Sequence, residues 1–177
     1  MDCTIRIATP ADAGKLRELI ELSARVLGRP FYSERQIESA LGSAWGVDTE
    51  LIRDGTFFIA ETAGLWAGCG GWSWRRTLFG ADNLQGREAA GLNPGTDAAR
   101  IRAFFVHPDF ARHGIGRRLL EHCEASARDA GFTSTELVAT LPGEPFYRKF
   151  GYAEVERIAH PLENGLAIEF VRMRKQI

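Results

Sequence analysis

Cysteine is scarce in this chain. Cys3, Cys69 and Cys123 are odd in number and far apart, with no CxxC pair and no Cys/His cluster. That excludes a disulfide frame and a zinc site, and the thiols read as the reduced cysteines of a cytoplasmic protein. Long apolar runs are missing as well. No stretch approaches the ~20 residues of a membrane-spanning helix, and the N-terminus MDCTIRIATP lacks a signal-peptide core. No membrane partner is therefore expected. Nor is there an excess of either charge: 22 Lys+Arg against 23 Asp+Glu leave a net −1, without the basic surplus of a general nucleic-acid binder. Internal repeats, low-complexity tracts and linkers are also absent. What remains is 45% hydrophobic and 25% charged, close to the globular average. With 177 residues, the chain suits a single domain over residues 1–177.

Local patterns divide the chain into alternating strands and helices. Thr4–Ala8 alternates as a short strand, and Thr9-Pro10-Ala11-Asp12 then reads as an N-cap, a proline in the first turn and an acid beside it. Leu16, Leu19, Ile20, Ser23 and Leu27 form one helical stripe. Ser33 caps a shorter helix carrying Ile37 and Leu41. Two strands follow, Thr56–Thr62 and Trp66–Trp74, with a turn at Ala63-Gly64. Residues 77–97 change character: Leu84, Gly86, Gly91, Asn93, Pro94, Gly95 and Asp97 predict a long irregular insertion. A strand over Arg100–Val106 stops at Pro108, and Gly114 to Gly131 holds the strongest helix, with Ile115, Leu119, Leu120, Cys123 and Ala127 on one face. Glu136–Thr140 is a strand, Pro145–Phe150 a short helix, and Tyr152–His160 and Gly165–Arg174 a final hairpin whose Asn164-Gly165 predicts a type I′ turn. The order β-α-α-β-β-β-α-β-α-β-β is an α/β domain with a mixed sheet.

Chemistry concentrates between Ile101 and Leu120. The helix opens at Gly114 without Ser, Thr, Asp or Asn directly before it, so its first N–H groups need a partner. Arg117 and Arg118 lie in its first turn, with Arg112 and His113 just upstream. Cations there oppose the helix dipole. An external anion at this end resolves both features, and Gly114 and Gly116 admit a phosphate without a Cβ in the way. The bland alternative is a basic surface helix after a glycine loop. A dinucleotide fingerprint fits poorly because Leu119 stands where its third glycine belongs, and no Gly-Lys-Ser/Thr follows to make a P-loop.

With Phe105-Val106-His-Pro followed by Ala111-Arg-His-Gly114-Ile-Gly116-Arg, and Glu144-Pro-Phe146-Tyr147-Arg-Lys-Phe-Gly151-Tyr152 downstream, the chain resembles the GNAT superfamily of acyl-CoA-dependent N-acetyltransferases. The resemblance runs from residue 4 to 174 and implies the GNAT fold, a mixed, mostly antiparallel sheet flanked by helices. It implies acetyl-CoA as cosubstrate, no metal, and direct transfer to a primary amine of a small molecule. Transfer to a protein or peptide N-terminus is the alternative within enzymes; a catalytically silent acyl-CoA sensor is the alternative outside them. The cofactor-binding residues implied are Phe105, Val106, Arg112, His113, Gly114, Ile115, Gly116, Arg117 and Thr140. Two positions depart from the family pattern. Ala111 stands where the pyrophosphate loop usually begins with Arg or Gln, and Thr140 where Asn often meets the pantetheine arm.

In the mechanism the resemblance implies, the backbone N–H groups of Phe105 and Val106 face the thioester and the pantetheine, and Tyr147 is the general acid for the departing sulfur. The alternative for Tyr147 is packing beside Phe146 and Phe150. Glu61, Asp82, Glu88 and His107 are the candidate bases by chemistry, and none stands out. Trp66, Trp72 and Trp74 read as core, or else Trp72 or Trp74 as a wall of the acceptor pocket; Arg75 and Arg76 could meet an acidic acceptor. Acceptor identity stays open, and a homodimer is as compatible with the sequence as a monomer.

Overall fold

The computed structural model describes residues 3–88 and 90–177; Ala89, within the expected insertion, lies outside the described residues. One seven-stranded sheet in the order β1-β2-β3-β4-β5-β7-β6 carries the fold. Its strands are β1 (Thr4–Ile7), β2 (Phe57–Thr62), β3 (Leu65–Ser73), β4 (Ala99–Val106), β5 (Ser134–Thr140), β6 (Ala153–Pro161) and β7 (Ala167–Gln176). All neighbours are antiparallel except β4 and β5. The helices are α1 (Ala13–Gly28), α2 (Glu34–Leu41), α3 (Thr49–Asp54), α4 (Ile115–Asp129) and α5 (Glu144–Lys149).

Strand alternation assigns the two faces. Ile101, Phe104 and Val106 of β4 pack with Ile115, Leu119, Leu120 and Cys123 of α4 and with Phe146 and Tyr147 of α5. Ala103 and Phe105 face the other way, into clusters built from α1, α2 and α3. The stripe Leu16, Leu19, Ile20 and Ser23 is buried as the periodicity predicts. Ser33 caps α2, accepting from Gln36 N while Gln36 reaches back. Ala63 and Gly64 both take positive φ, 49° and 76°, which is the hairpin turn that suits the sheet's twist.

Three local expectations change. A further helix, α3, interrupts the run before β2. Its six residues are too few to show a period, and Asp48 caps it by accepting from Leu51 N. The β6–β7 connection is not a two-residue type I′ turn; pairing ends at Pro161↔Ala167, and a 3₁₀ turn over Glu163–Gly165 closes a longer loop in which Gly165 takes positive φ (73°). The insertion is also more regular than its glycines suggest. Arg75 bridges Gly91, Leu92 N donates to Trp74 O (2.7 Å), and Thr77 and Glu88 exchange bonds.

Candidate active site

Strands β4 and β5 are paired only at Ala99↔Thr135 and Arg100↔Glu136, after which they part. Parallel strands that diverge leave unpaired backbone groups along both inner edges. On its other edge, against β3, β4 carries a bulge. Gly71 faces Arg102 and Cys69 faces Phe105, so Ala103 and Phe104 together oppose Gly70. Ala103 takes φ 54°, a left-handed conformation that disfavours side chains. Gly70 is required by what lies over it: a Cβ there would sit 2.3 Å from the Phe104 ring.

His107 N donates to Ala67 O on β3 at 2.9 Å. Alternation along the strand therefore turns the Val106 amide the other way, into the gap, and the Phe105 amide back toward Cys69. This divides the two amides expected at the thioester. Val106 supplies a donor to the gap, while Phe105 contributes its ring to the α1–α2 face.

The segment after β4 turns sharply before α4. Arg112 (φ 68°) and Gly114 (φ 85°) are both left-handed, and Gly114 is the N-cap of α4 with no side-chain cap. Successive amides arranged this way converge on a concave surface, and the first helical N–H groups lack intrahelical acceptors. Beside Gly114 a Cβ would meet nothing within 4 Å, and at Gly116 it would meet Phe146 Cζ at 3.3 Å. Arg112, Gly114 and Arg117 are exposed. The Arg117 guanidinium pairs with Glu121 at 2.7 Å on the surface. The His113 ring folds back, its Nδ1 2.9 Å from Ala111 O, and Ile115 is buried, anchoring the first turn.

Across the gap stands α5. Tyr147 is 8% exposed, its ring centroid 5.0 Å from Phe146, 5.6 Å from Tyr152 and 6.4 Å from Phe104. The ring packs among these aromatics, and among the described residues none hydrogen-bonds its hydroxyl. Burial, with the Cys123 thiol nearby, raises the phenol above its ordinary value, so it stays protonated at neutral pH. Thr140 ends β5, and its Oγ1 accepts from Gly143 N at 3.3 Å. A Cβ on Gly143 would lie 3.2 Å from that oxygen and 3.4 Å from Tyr147 Cε2. Thr140 and Tyr147 therefore flank one spot.

The remaining candidates disperse. Glu61 is taken by Arg6 at 2.9 Å on β2. Asp82 accepts from Thr49 N at the start of α3, Glu88 is exposed in the insertion, and His107 Nδ1 accepts from Asp109 N. Trp72 is core, donating to Ser126 Oγ at 2.9 Å, and Trp74 packs against it. Arg75 is bound by Asp54. Burial lifts Cys69 to about 12, the state of an inert thiol. Sequence reading missed the bulge at Ala103–Phe104, whose only trace is the Gly68–Gly71 run opposite it.

On the α1–α2 face, a cavity of about 110 Å³ lies between Arg17, Ile20 and Glu21 of α1, Leu41, Trp45 to Val47, and Ala81 to Asn83 of the insertion. Among the described residues no group of three or more His, Cys, Asp or Glu side chains is placed to hold a metal, and no helix is long and apolar enough to cross a membrane.

The family model described as an acetyltransferase (GNAT) domain matches residues 53–154. An uncharacterised N-acetyltransferase of Chlorobaculum tepidum is 28% identical over 160 residues, 90% of this chain and 81% of that one. The fold is also that of a GCN5-related N-acetyltransferase of Rhodopseudomonas palustris, with TM-score 0.74, 21% identity and coverage of 100% and 97% of the two chains. It is shared by the PaiA N-acetyltransferase of Thermoplasma acidophilum, solved in complex with coenzyme A, with TM-score 0.66, 17% identity and full coverage of both chains.

Proposed function

The chain belongs to the GNAT acetyltransferases and uses acetyl-CoA, and from that premise we propose that it acetylates a primary amine of a small molecule by direct transfer. The observation that carries the reading is a buried phenol without a protein partner, Tyr147, set beside a gap into which the Val106 amide points. Acetyl-CoA supplies the acetyl group as a thioester and leaves as a thiol. The turn from Arg112 through Gly114 to Arg117 holds its phosphates, with Ile115 and Gly116 as the amides of the first turn. His113, bent back on the loop, contributes backbone there. Thr140 Oγ1, which accepts from Gly143 N, keeps its own proton to donate to the pantetheine arm.

Within the gap the Val106 N–H is fixed before reaction and stabilises negative charge developing on the carbonyl oxygen. Tyr147 donates its proton to the sulfur as it departs, and the proton that the amine nitrogen loses on becoming an amide passes through water to restore the phenol. A phenol raised above its ordinary ~10 is a weaker acid than a thiol near ~8.5, so transfer to a free thiolate is uphill by the pKa difference at any pH; the proton moves as the C–S bond breaks, and placement at the sulfur decides its use. The amine approaches from the α1–α2 face, where Phe105 lies. A cavity of about 110 Å³ on that face, below the ~150 Å³ that holds a benzene ring, favours a compact amine over an extended peptide; it shares no lining residue with Val106, Thr140 or Tyr147.

The test combines acetyl-CoA with a panel of diamines, arylethylamines, amino-acid amides, an aminoglycoside and an alanyl peptide, reading thiol release. Turnover with a small amine and not with the peptide is the expected result. Turnover with the peptide alone overturns the acceptor class.

A further inference from the structure

The insertion between β3 and β4 is held to the sheet by a charge cluster that neither donor binding nor proton transfer needs. Arg87 donates to Gly80 O at 3.1 Å, Asp48 Oδ1 at 2.9 Å and Glu50 Oε2 at 3.1 Å. Arg102 of β4 donates to the same Asp48 carboxylate, to Glu50 Oε2 at 3.3 Å and to Gly80 O at 3.5 Å. Two guanidiniums thus share two carboxylates and one carbonyl. The Arg102 and Asp48 side chains are each 1% exposed and Arg87 is 15% exposed. Burial pushes the Asp48 carboxyl up and the Arg102 guanidinium down, while their mutual attraction opposes both shifts. A buried set of this kind is an expensive way to gain stability, but it fixes geometry.

What it fixes lies on both sides. Arg102 is the last residue before the bulge, whose next residue, Ala103, is left-handed. On the insertion side, Gly80 precedes Ala81, Asp82 and Asn83, which wall the 110 Å³ cavity. Asp82 is tied again, through its N to Val47 O at 3.2 Å and its Oδ1 to Thr49 N at 3.0 Å. One residue before Gly80, the Phe79 ring crosses to β6 and β7, with centroids 5.3 Å from His160 and 5.7 Å from Phe170.

We propose that Arg87 and Arg102, through Asp48 and Glu50, are positioning residues that clamp residues 79–83 as a fixed wall of the acceptor side and hold that wall in register with the bulge of β4. This rests on the acceptor approaching from the α1–α2 face. The wall sets which amines fit, and the insertion is a built part of the site instead of an opening flap. Arg87 is the separable half of the clamp, because its loss leaves Arg102 on Asp48.

The test uses the full chain saturated with CoA. Arg87→Ala should speed hydrogen exchange over residues 77–88 roughly 100-fold, as expected when one partner of a buried ionic set is removed. Exchange at Phe104–Val106 should rise with it. CoA affinity should stay within about twofold, while relative rates across the amine panel change. Arg87→Lys, which keeps the charge and loses the planar fork, should recover part of each effect. Faster exchange of 77–88 with Phe104–Val106 and the amine preferences unchanged would show that wall and strand are independent, and unchanged exchange of 77–88 would show that Arg87 clamps nothing; either overturns the inference. Failure of the parent chain to bind CoA would sink the proposed function instead, and the exchange results would still decide the clamp.

Discussion

Replacing Tyr147 by Phe separates the two roles of that side chain more cleanly here than a hydroxyl deletion usually can. The ring contacts with Phe104, Phe146 and Tyr152 survive the change. The hydroxyl has no bond to lose, because none of the described residues partners it. Deleting a buried hydroxyl that gains no compensating bond changes stability by about 0 to 1 kcal/mol, in the stabilising direction if at all. For a chain of this size that is a rise in Tm of no more than ~4 °C. The catalytic effect runs the other way. Positioned acids contribute ~10²–10⁴-fold, and a thiolate leaving group needs less help than an alkoxide, so the loss in kcat should be about 10–100-fold, or ~1.4–2.7 kcal/mol of barrier. Thiol release under conditions where chemistry limits the rate measures the first quantity; calorimetric titration with CoA and a thermal melt measure the others. Because burial raises the phenol, no alkaline loss of kcat below pH ~10 should trace to Tyr147. An unchanged kcat, or CoA affinity falling in step with kcat, would reduce Tyr147 to a packing residue.

Gly114→Ala should weaken CoA binding in a calorimetric titration while lowering Tm by only a few degrees, since the side chain meets open space but sits at φ 85°, a strain of about 1–2 kcal/mol; unchanged CoA affinity would remove the phosphate role of that turn. At Gly70, alanine should drive the Phe104 ring toward the gap, because its Cβ would lie 2.3 Å from that ring. The overpacking costs about 1–3 kcal/mol, CoA affinity should fall, and adding Phe104→Ala should restore it; no restoration would mean that the ring is not what blocks. Alkaline stability offers a third check. Burial pushes the Tyr32 phenol up to about 12, so the folded state keeps a proton that the unfolded chain releases near ~10. Its stabilisation is complete below pH ~10 and is lost as pH rises toward 12. Unfolding midpoints of the parent should therefore fall more steeply over that window than those of Tyr32→Phe, and equal slopes would refute it.

How much of this could be read from the residues differs from feature to feature. The strand ending at Val106, the loop through Arg112 and the helix opening at Gly114 were legible because glycine, missing cap and misplaced arginines are local signals. So was α1, from its stripe; Tyr147 was singled out only by the family resemblance, since its residues alone favour packing. The six residues of α3 were not legible, since less than two turns shows no period. The base candidates Glu61 and Asp82 could not be weighed, because the partners that occupy them, Arg6 and Thr49, are far away in the chain.

The sequence by itself determined the order of the strands and of the longer helices, the uncapped glycine start of α4 and the residue types available for chemistry, because each depends on neighbours within a few positions. Only the tertiary structure decided which of two adjacent amides points into the gap. That choice follows from a hydrogen bond between His107 and Ala67, 40 residues apart, and from the alternation it imposes on β4. The insertion's attachment was decided in the same way. Its glycines suggest a long irregular loop, but Arg87 finds Asp48 and Glu50 across 39 and 37 residues, and burying that cluster with Arg102 fastens a polar segment to the sheet. Charges that would be solvated on an isolated strand are paired here because folding removes water from both partners at once.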